Sequence, residues 1–251
     1  PVERFEKITF GGDDNLTTLK ANILRATLSK VFSDTRKGNL SIVSSDFEKM
    51  YKNYYASGYT AGATVVTMDG YLDPTERENT IISGNIVNEV GNHTLLVGVE
   101  LIDTTNENFR YNTFWSTTSD DNEVFNITRP MDFSVNSAGV ATSNDYTADL
   151  KSKTKSDIDV TSFFIQDQID VSDKLKLMIG GRHDSFDITV TDVKAGSAAA
   201  RKDTKFSPRA GVIFKPQDNI SWYYSYSESF LPRSGEQYKK LTASAAALDP
   251  D

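Results

Sequence analysis

A strict two-residue alternation between 204 and 230 limits the fold more than any other feature of the chain. Phe206, Pro208, Ala210, Val212 and Phe214 fall on one face, and Ser207, Arg209, Gly211, Ile213 and Lys215 on the other. That is the period of an extended strand rather than a helix. Pro216, Gln217, Asp218 and Asn219 supply turn chemistry. Beyond them Ile220, Trp222, Tyr224 and Tyr226 alternate with Ser221, Tyr223, Ser225 and Ser227. The pattern predicts a hairpin whose aromatic rings gather just past its turn, where a transmembrane barrel carries an interfacial girdle.

The same unit recurs upstream. Around Val171, Ser172 and Asp173, Leu175, Leu177 and Ile179 alternate with Lys174, Lys176 and Met178; across Gly91 and Asn92, Leu95, Val97, Val99 and Leu101 form an outward row. A further pair flanks 33–38, with Leu24, Ala26 and Leu28 on one face. These patterns predict about eight antiparallel strands, near 17–32, 39–54, 77–89, 93–105, 158–170, 174–190, 204–215 and 220–230. Tight turns then alternate with long connections at 55–76, 106–157 and 194–203 and the tail beyond 231. Such asymmetry suits an up-and-down transmembrane barrel, with tight periplasmic turns and extended extracellular loops.

No window reaches the ~18 consecutive apolar residues of a spanning helix. The mean hydropathy of -0.43 is no obstacle to a barrel, whose strands expose only every second side chain to lipid. The net charge of -8 argues against nucleic acid as a partner, since phosphate binding needs clustered Lys and Arg. The absence of cysteine excludes a disulfide scaffold and a thiolate metal site.

Three stretches carry a family resemblance: FSPRAGVIFKPQDNISWYYSYSESFLPRSGEQY (206–238), FFIQDQIDVSDKLKLMIGGRHDSF (163–186) and HTLLVGVE (93–100). The first resembles the SPRxGxxxKP strand and the following DNxSxYxSYSxSFxPxxG strand of TonB-dependent siderophore receptors. The second is similar to their QDQ, short turn and GxRxD hairpin, and the third to their HxLLxGxE strand. SFLPRSGEQY looks closest to the catecholate-type members, while ferrichrome and other hydroxamate receptors share the strand grammar.

The resemblance implies a barrel of about 22 strands around an N-terminal plug, of which this chain would supply about eight. Neither the plug, the TonB box nor a C-terminal strand ending in an aromatic residue is visible. The chain is therefore expected to be a wall segment cut at both ends. Implied partners are a ferric siderophore, outer-membrane lipid and the TonB–ExbB–ExbD system. Iron would stay wrapped in its siderophore, so no cofactor and no protein metal ligand is expected.

Aromatic rings and Arg side chains suit a bulky anionic iron complex. The candidates in or beside the expected long loops are Tyr71, Arg110, Tyr111, Trp115, Arg129, Phe230, Arg233 and Tyr238; the competing expectation for each is a loop-packing or girdle role. His93 and His183 fall on separate strands and do not suggest a shared metal site. Asp167 with Asp170, and Glu76 with Glu78, lack the desolvated cleft that acid–base chemistry needs, and no nucleophile and base suggest a barrel enzyme. Two alternatives remain: a soluble β-sandwich binding or adhesion module with its apolar rows buried in a core, and a receptor of the same type for a vitamin, haem or a sugar.

Overall fold

The computed structural model describes residues 15–128 and 131–230. Their regular structure is one antiparallel sheet of nine strands: β1 (Leu16–Ser33), β2 (Arg36–Gly58), β3 (Val65–Val90), β4 (His93–Asn112), β5 (Glu123–Asn126), β6 (Asp149–Ser172), β7 (Leu175–Asp192), β8 (Ser197–Gln217) and β9 (Ile220–Ser227). The path runs β1-β2-β3-β4-β6-β7-β8-β9, with β5 attached to β3. Each strand pairs with its neighbour in sequence except around β5, as in an up-and-down wall. The sheet is open, with β1 and β9 at its two edges.

Two-residue turns at 34–35, 91–92, 173–174 and 218–219 close one end of every hairpin. Gly91 stands at φ +61°, the left-handed conformation that the first central position of a II′ hairpin turn demands. The opposite end differs from expectation. The strands there run on well past the residues where alternation fades, so that only 59–64 and 193–196 remain as connections at two of the expected long loops. Strands β3, β6 and β8 are 26, 24 and 21 residues long, against the ~9–11 residues that cross a bilayer. Above the membrane both faces of a strand meet water, so hydropathy no longer marks the strand. The third connection, 113–148, remains long and contains β5, the one strand that alternation does not announce.

Cross-strand register defines two faces. Leu28 pairs with Leu40, Leu40 with Gly84, Gly84 with Val99 and Val99 with Phe163; partners in register point the same way. This outward face carries Leu24 at 73% exposure, with Leu28, Ile42, Ile86, Leu101, Phe163, Ile179 and Trp222 also exposed. A contiguous apolar surface of this extent is not a water-facing feature. The opposite face is polar and holds Asn79, Asn106, Ser156, Ser162, Asp184 and Asp203, of which all but Asn79 are buried. Gly98 lies on this inner face under the ring of Phe164, and any side chain there would displace the ring.

Candidate ligand-facing wall

High on the inner face, four side chains converge from three strands. The Arg110 guanidinium lies 3.5 Å from the centroid of the Tyr71 ring, and its Nη1 donates to Asp73 Oδ2 at 2.9 Å. Tyr51 and Tyr55 bracket Tyr71 with ring centroids at 5.6 and 6.0 Å. Register explains the convergence: Tyr51 opposes Asp73 and Tyr55 opposes Asp69 on β3, and Tyr71 opposes Asn112, two residues from Arg110. The β3–β4 ladder lapses at Asp73 and Pro74, where the proline has no N–H to donate.

The Tyr55 hydroxyl donates to Asp69 Oδ2 at 2.8 Å. Burial, reinforced by that carboxylate, pushes the phenol up to about 12, so it stays a neutral donor at every physiological pH. Arg110 gives only one of its five N–H groups to Asp73, leaving donors in a fixed fork above an aromatic platform. The arrangement can stack a planar ring and hydrogen-bond an anionic oxygen, both from the open side of the wall.

Lower on the same face, Arg182 bridges Glu100 and Asp184, each at 2.7 Å, and donates to Ser162 at 2.7 Å. A buried ion pair joins Arg201 to Asp203 at 2.7 Å. Beside these pairs lies an apolar cluster of Ile158, Val160, Ile188 and Val190, against which Ile102, Phe186 and Ala199 pack. None of these inner-wall groups was among the sequence candidates: Glu100, Ser162, Arg182 and Asp184 sit within expected strands, and Arg201 and Asp203 lie in the expected connection 194–203.

The eight candidates separate. Tyr71 and Arg110 come together as described, on strands rather than in loops. Tyr111 belongs to the outward face, its ring stacked 6.5 Å from Phe109, which suits a girdle aromatic. Trp115 is 1% exposed, between Tyr54 and Phe125 at 5.7 and 4.9 Å. Its Nε1 is buried without a hydrogen-bond partner, so the ring acts by packing. Phe230 packs on Phe186 at 5.5 Å. Arg129, Arg233 and Tyr238 lie outside the described residues.

The Trp115 cluster has an unexpected location. Tyr54, Val66 and Met68 share the even-numbered, outward face of β2 and β3 with Leu40 and Ile82, yet they are at most 8% exposed. Segments 113–128 and 131–148 fold over them. With β4 ended at Asn112, β5 takes its place beside β3, pairing Val65–Met68 with Glu123–Asn126. Phe133 and Tyr146 close the cluster over Tyr54 at 5.7 and 5.1 Å. The buried Glu123 carboxylate knits the loop, accepting from the Thr117 hydroxyl and from the Val124 N–H at 2.8 Å.

His93 Nδ1 pairs with Asp167 at 2.7 Å, while His183 opposes Phe163 and Phe206; the two imidazoles do not meet. Among the described residues no group of three His, Cys, Asp or Glu is placed to hold a metal ion.

The outward apolar rows, the polar inner wall and the one-ended tight turns define the wall of a transmembrane β-barrel. Residues 6–250 match the family model described as TonB dependent receptor-like, beta-barrel, and the chain belongs to that family. It is 31% identical over 162 residues to the ferrichrome outer membrane transporter/phage receptor of Escherichia coli K12, covering 64% of this chain and 20% of that protein. It is 30% identical over 103 residues to the probable TonB-dependent siderophore receptor PiuA of Acinetobacter baumannii, covering 38% of this chain and 14% of that protein. Among solved structures, the ferric-catecholate import receptor Fiu of E. coli K12 superposes with a TM-score of 0.72 at 13% identity, over 96% of this chain and 38% of its own. The A. baumannii PiuA crystal structure gives 0.69 at 16% identity, over 97% and 38%. The chain thus spans a fifth or less of these two sequence relatives, and the structural likenesses establish the fold.

Proposed function

We propose that this chain is a ligand-facing section of an outer-membrane receptor wall that takes up a ferric siderophore, with uptake energised through TonB, ExbB and ExbD. The observation that carries the reading is the Tyr51–Tyr55–Tyr71–Arg110 cluster on the inner face, beyond the part of the strands needed to cross a bilayer. Aromatic faces and a guanidinium with free donors match the planar rings and anionic oxygens of an iron–siderophore complex. Names of the two sequence relatives, a ferrichrome transporter and a siderophore receptor, support the same substrate class. Iron enters this reading as cargo held by the siderophore.

Binding to the complete gene product, folded in detergent, tests it. Ferric hydroxamate and ferric catecholate ligands are titrated against the unaltered protein, Arg110→Gln and Tyr71→Ala. One ligand class is expected to bind, and each substitution to weaken it about tenfold, or ~1.4 kcal/mol, with the barrel still folded. Binding of neither class, or equal affinity in all three proteins, contradicts the assignment.

A further inference from the structure

Two adjacent outward rows cross the wall near the tight-turn end, and each is missing one side chain. In the first, Lys30 opposes Gly38, Gly38 opposes Ile86 and Ile86 opposes Val97. In the second, Gly84 stands between Leu40 and Val99. The Phe32 ring fills the space over Gly38, whereas Gly84 floors an apolar groove of about 540 Å³ walled by Leu28, Phe32, Ile86 and Phe163. Crossing five strands spaced ~4.8 Å apart, it is roughly 19 Å long, the scale of a fatty acyl chain.

One end of this otherwise apolar groove is cationic. Lys30 lines it and lies 5.4 Å from the Phe32 ring centroid. Arg36 occupies the next outward position on β2, about 7 Å beyond Gly38 toward the turn. Arg36 Nε donates to the neutral Asn88 side chain at 3.0 Å, which leaves the rest of its guanidinium available. No described carboxylate forms an ion pair with either residue. A groove shaped for hydrocarbon, with two uncompensated cations at the depth where headgroups lie, matches a lipid that is both acylated and anionic.

We propose that the groove is a specific site for one anionic glycerophospholipid of the turn-side leaflet, its acyl chain over Gly84 and against the Phe32 ring, and its phosphate on Lys30 and Arg36. The site rests on the membrane-spanning reading of the wall but not on the identity of the siderophore. No bond is made or broken; the lipid is held as a structural ligand.

Native mass spectrometry of the complete gene product in detergent tests the site, using phosphatidylglycerol and phosphatidylcholine of identical acyl chains. The unaltered protein is expected to retain phosphatidylglycerol at least about fivefold better. Lys30→Gln combined with Arg36→Gln should abolish that preference while leaving phosphatidylcholine retention unchanged. Gly84→Leu should lower retention of both lipids severalfold by filling the groove. A Cβ at Gly84 meets its nearest neighbours at 3.8 and 3.9 Å, so the wall admits it, and the cation pair tests the site even if this variant folds poorly. No preference in the unaltered protein, a preference surviving the double substitution, or full retention by folded Gly84→Leu overturns the site. Recovery of the protein in water without detergent would instead overturn the membrane reading beneath it.

Discussion

Leu40 and Tyr54 lie on the same outward face of the same strand, and they have opposite fates. Leu40 is 53% exposed whereas Tyr54 is 8% exposed, and no register shift separates them along β2. Near the tight turns the apolar row has no protein cover and fits a lipid surface. Near the far end the same row is roofed by segments 113–128 and 131–148, with Trp115 and Phe125 as keystones. Alternation therefore specifies that a face is apolar, and what covers it depends on depth. A strand that outruns the bilayer must bring its own cover, and here a single long connection provides it.

Removing the keystone should separate the two regions most sharply. Trp115→Ala empties a site buried to 1%, and comparable truncations cost about 3–5 kcal/mol. Hydrogen exchange should show amides of 113–128 losing protection while those of β6 and β7 keep theirs. Uniform loss would mean that the roof and the wall fold as one unit. Trp115→Phe should cost far less, since the indole N–H has no partner to lose.

The lower region is tested by putting charge on each face in turn. Ile165 points outward at 51% exposure, and its neighbour Gln166 points inward. Ile165→Arg should cost roughly 2–4 kcal/mol in urea titrations of the vesicle-folded protein, as charges on a lipid face do, and Gln166→Arg under about 1 kcal/mol. Equal costs would erase the distinction between the faces.

A pH effect on the roof is the smallest expected. Burial first, then Asp69 and Asp120, raises the Asp121 carboxyl above its ordinary value of 3.8. The folded loop then holds this proton more tightly than the unfolded loop. Its penalty is full at neutral pH, eases as pH falls through the raised value, and is absent below 3.8. Amides of 113–123, corrected for intrinsic exchange, should gain slight protection as pH falls from 7 toward 3.8, and Asp121→Asn should remove the dependence.

The turn-side half of this architecture was legible in the residues because every strand there is wet on one face and apolar on the other. Leu95, Val97, Val99 and Leu101 announce their row directly. The far half was not. Tyr71, Leu72, Asp73, Pro74, Thr75 and Glu76 read as loop, since Pro74 and the charges break the pattern, yet they form the middle of β3. Trp115, Phe125, Phe133 and Tyr146 are spaced without period, so their common core emerges only when the loop folds back on β2 and β3. The candidate site was half visible for the same reason: Tyr71 and Arg110 stood out as loop or loop-edge residues, while Tyr51 was absorbed into a strand and Tyr55, first residue of the expected connection, was not singled out.

Because the chain contains no cysteine, introduced thiols can report the two faces residue by residue. Nitroxide labels placed singly from 94 to 103 on β4 of the membrane-inserted protein test the central claim most directly. The account predicts a two-residue period, with labels at 95, 97, 99 and 101 accessible to molecular oxygen in lipid and those at 96, 100 and 102 shielded from it. Labels lacking that alternation, or outward positions accessible to a water-soluble nickel complex, would contradict the assignment of this sheet as a membrane-spanning wall.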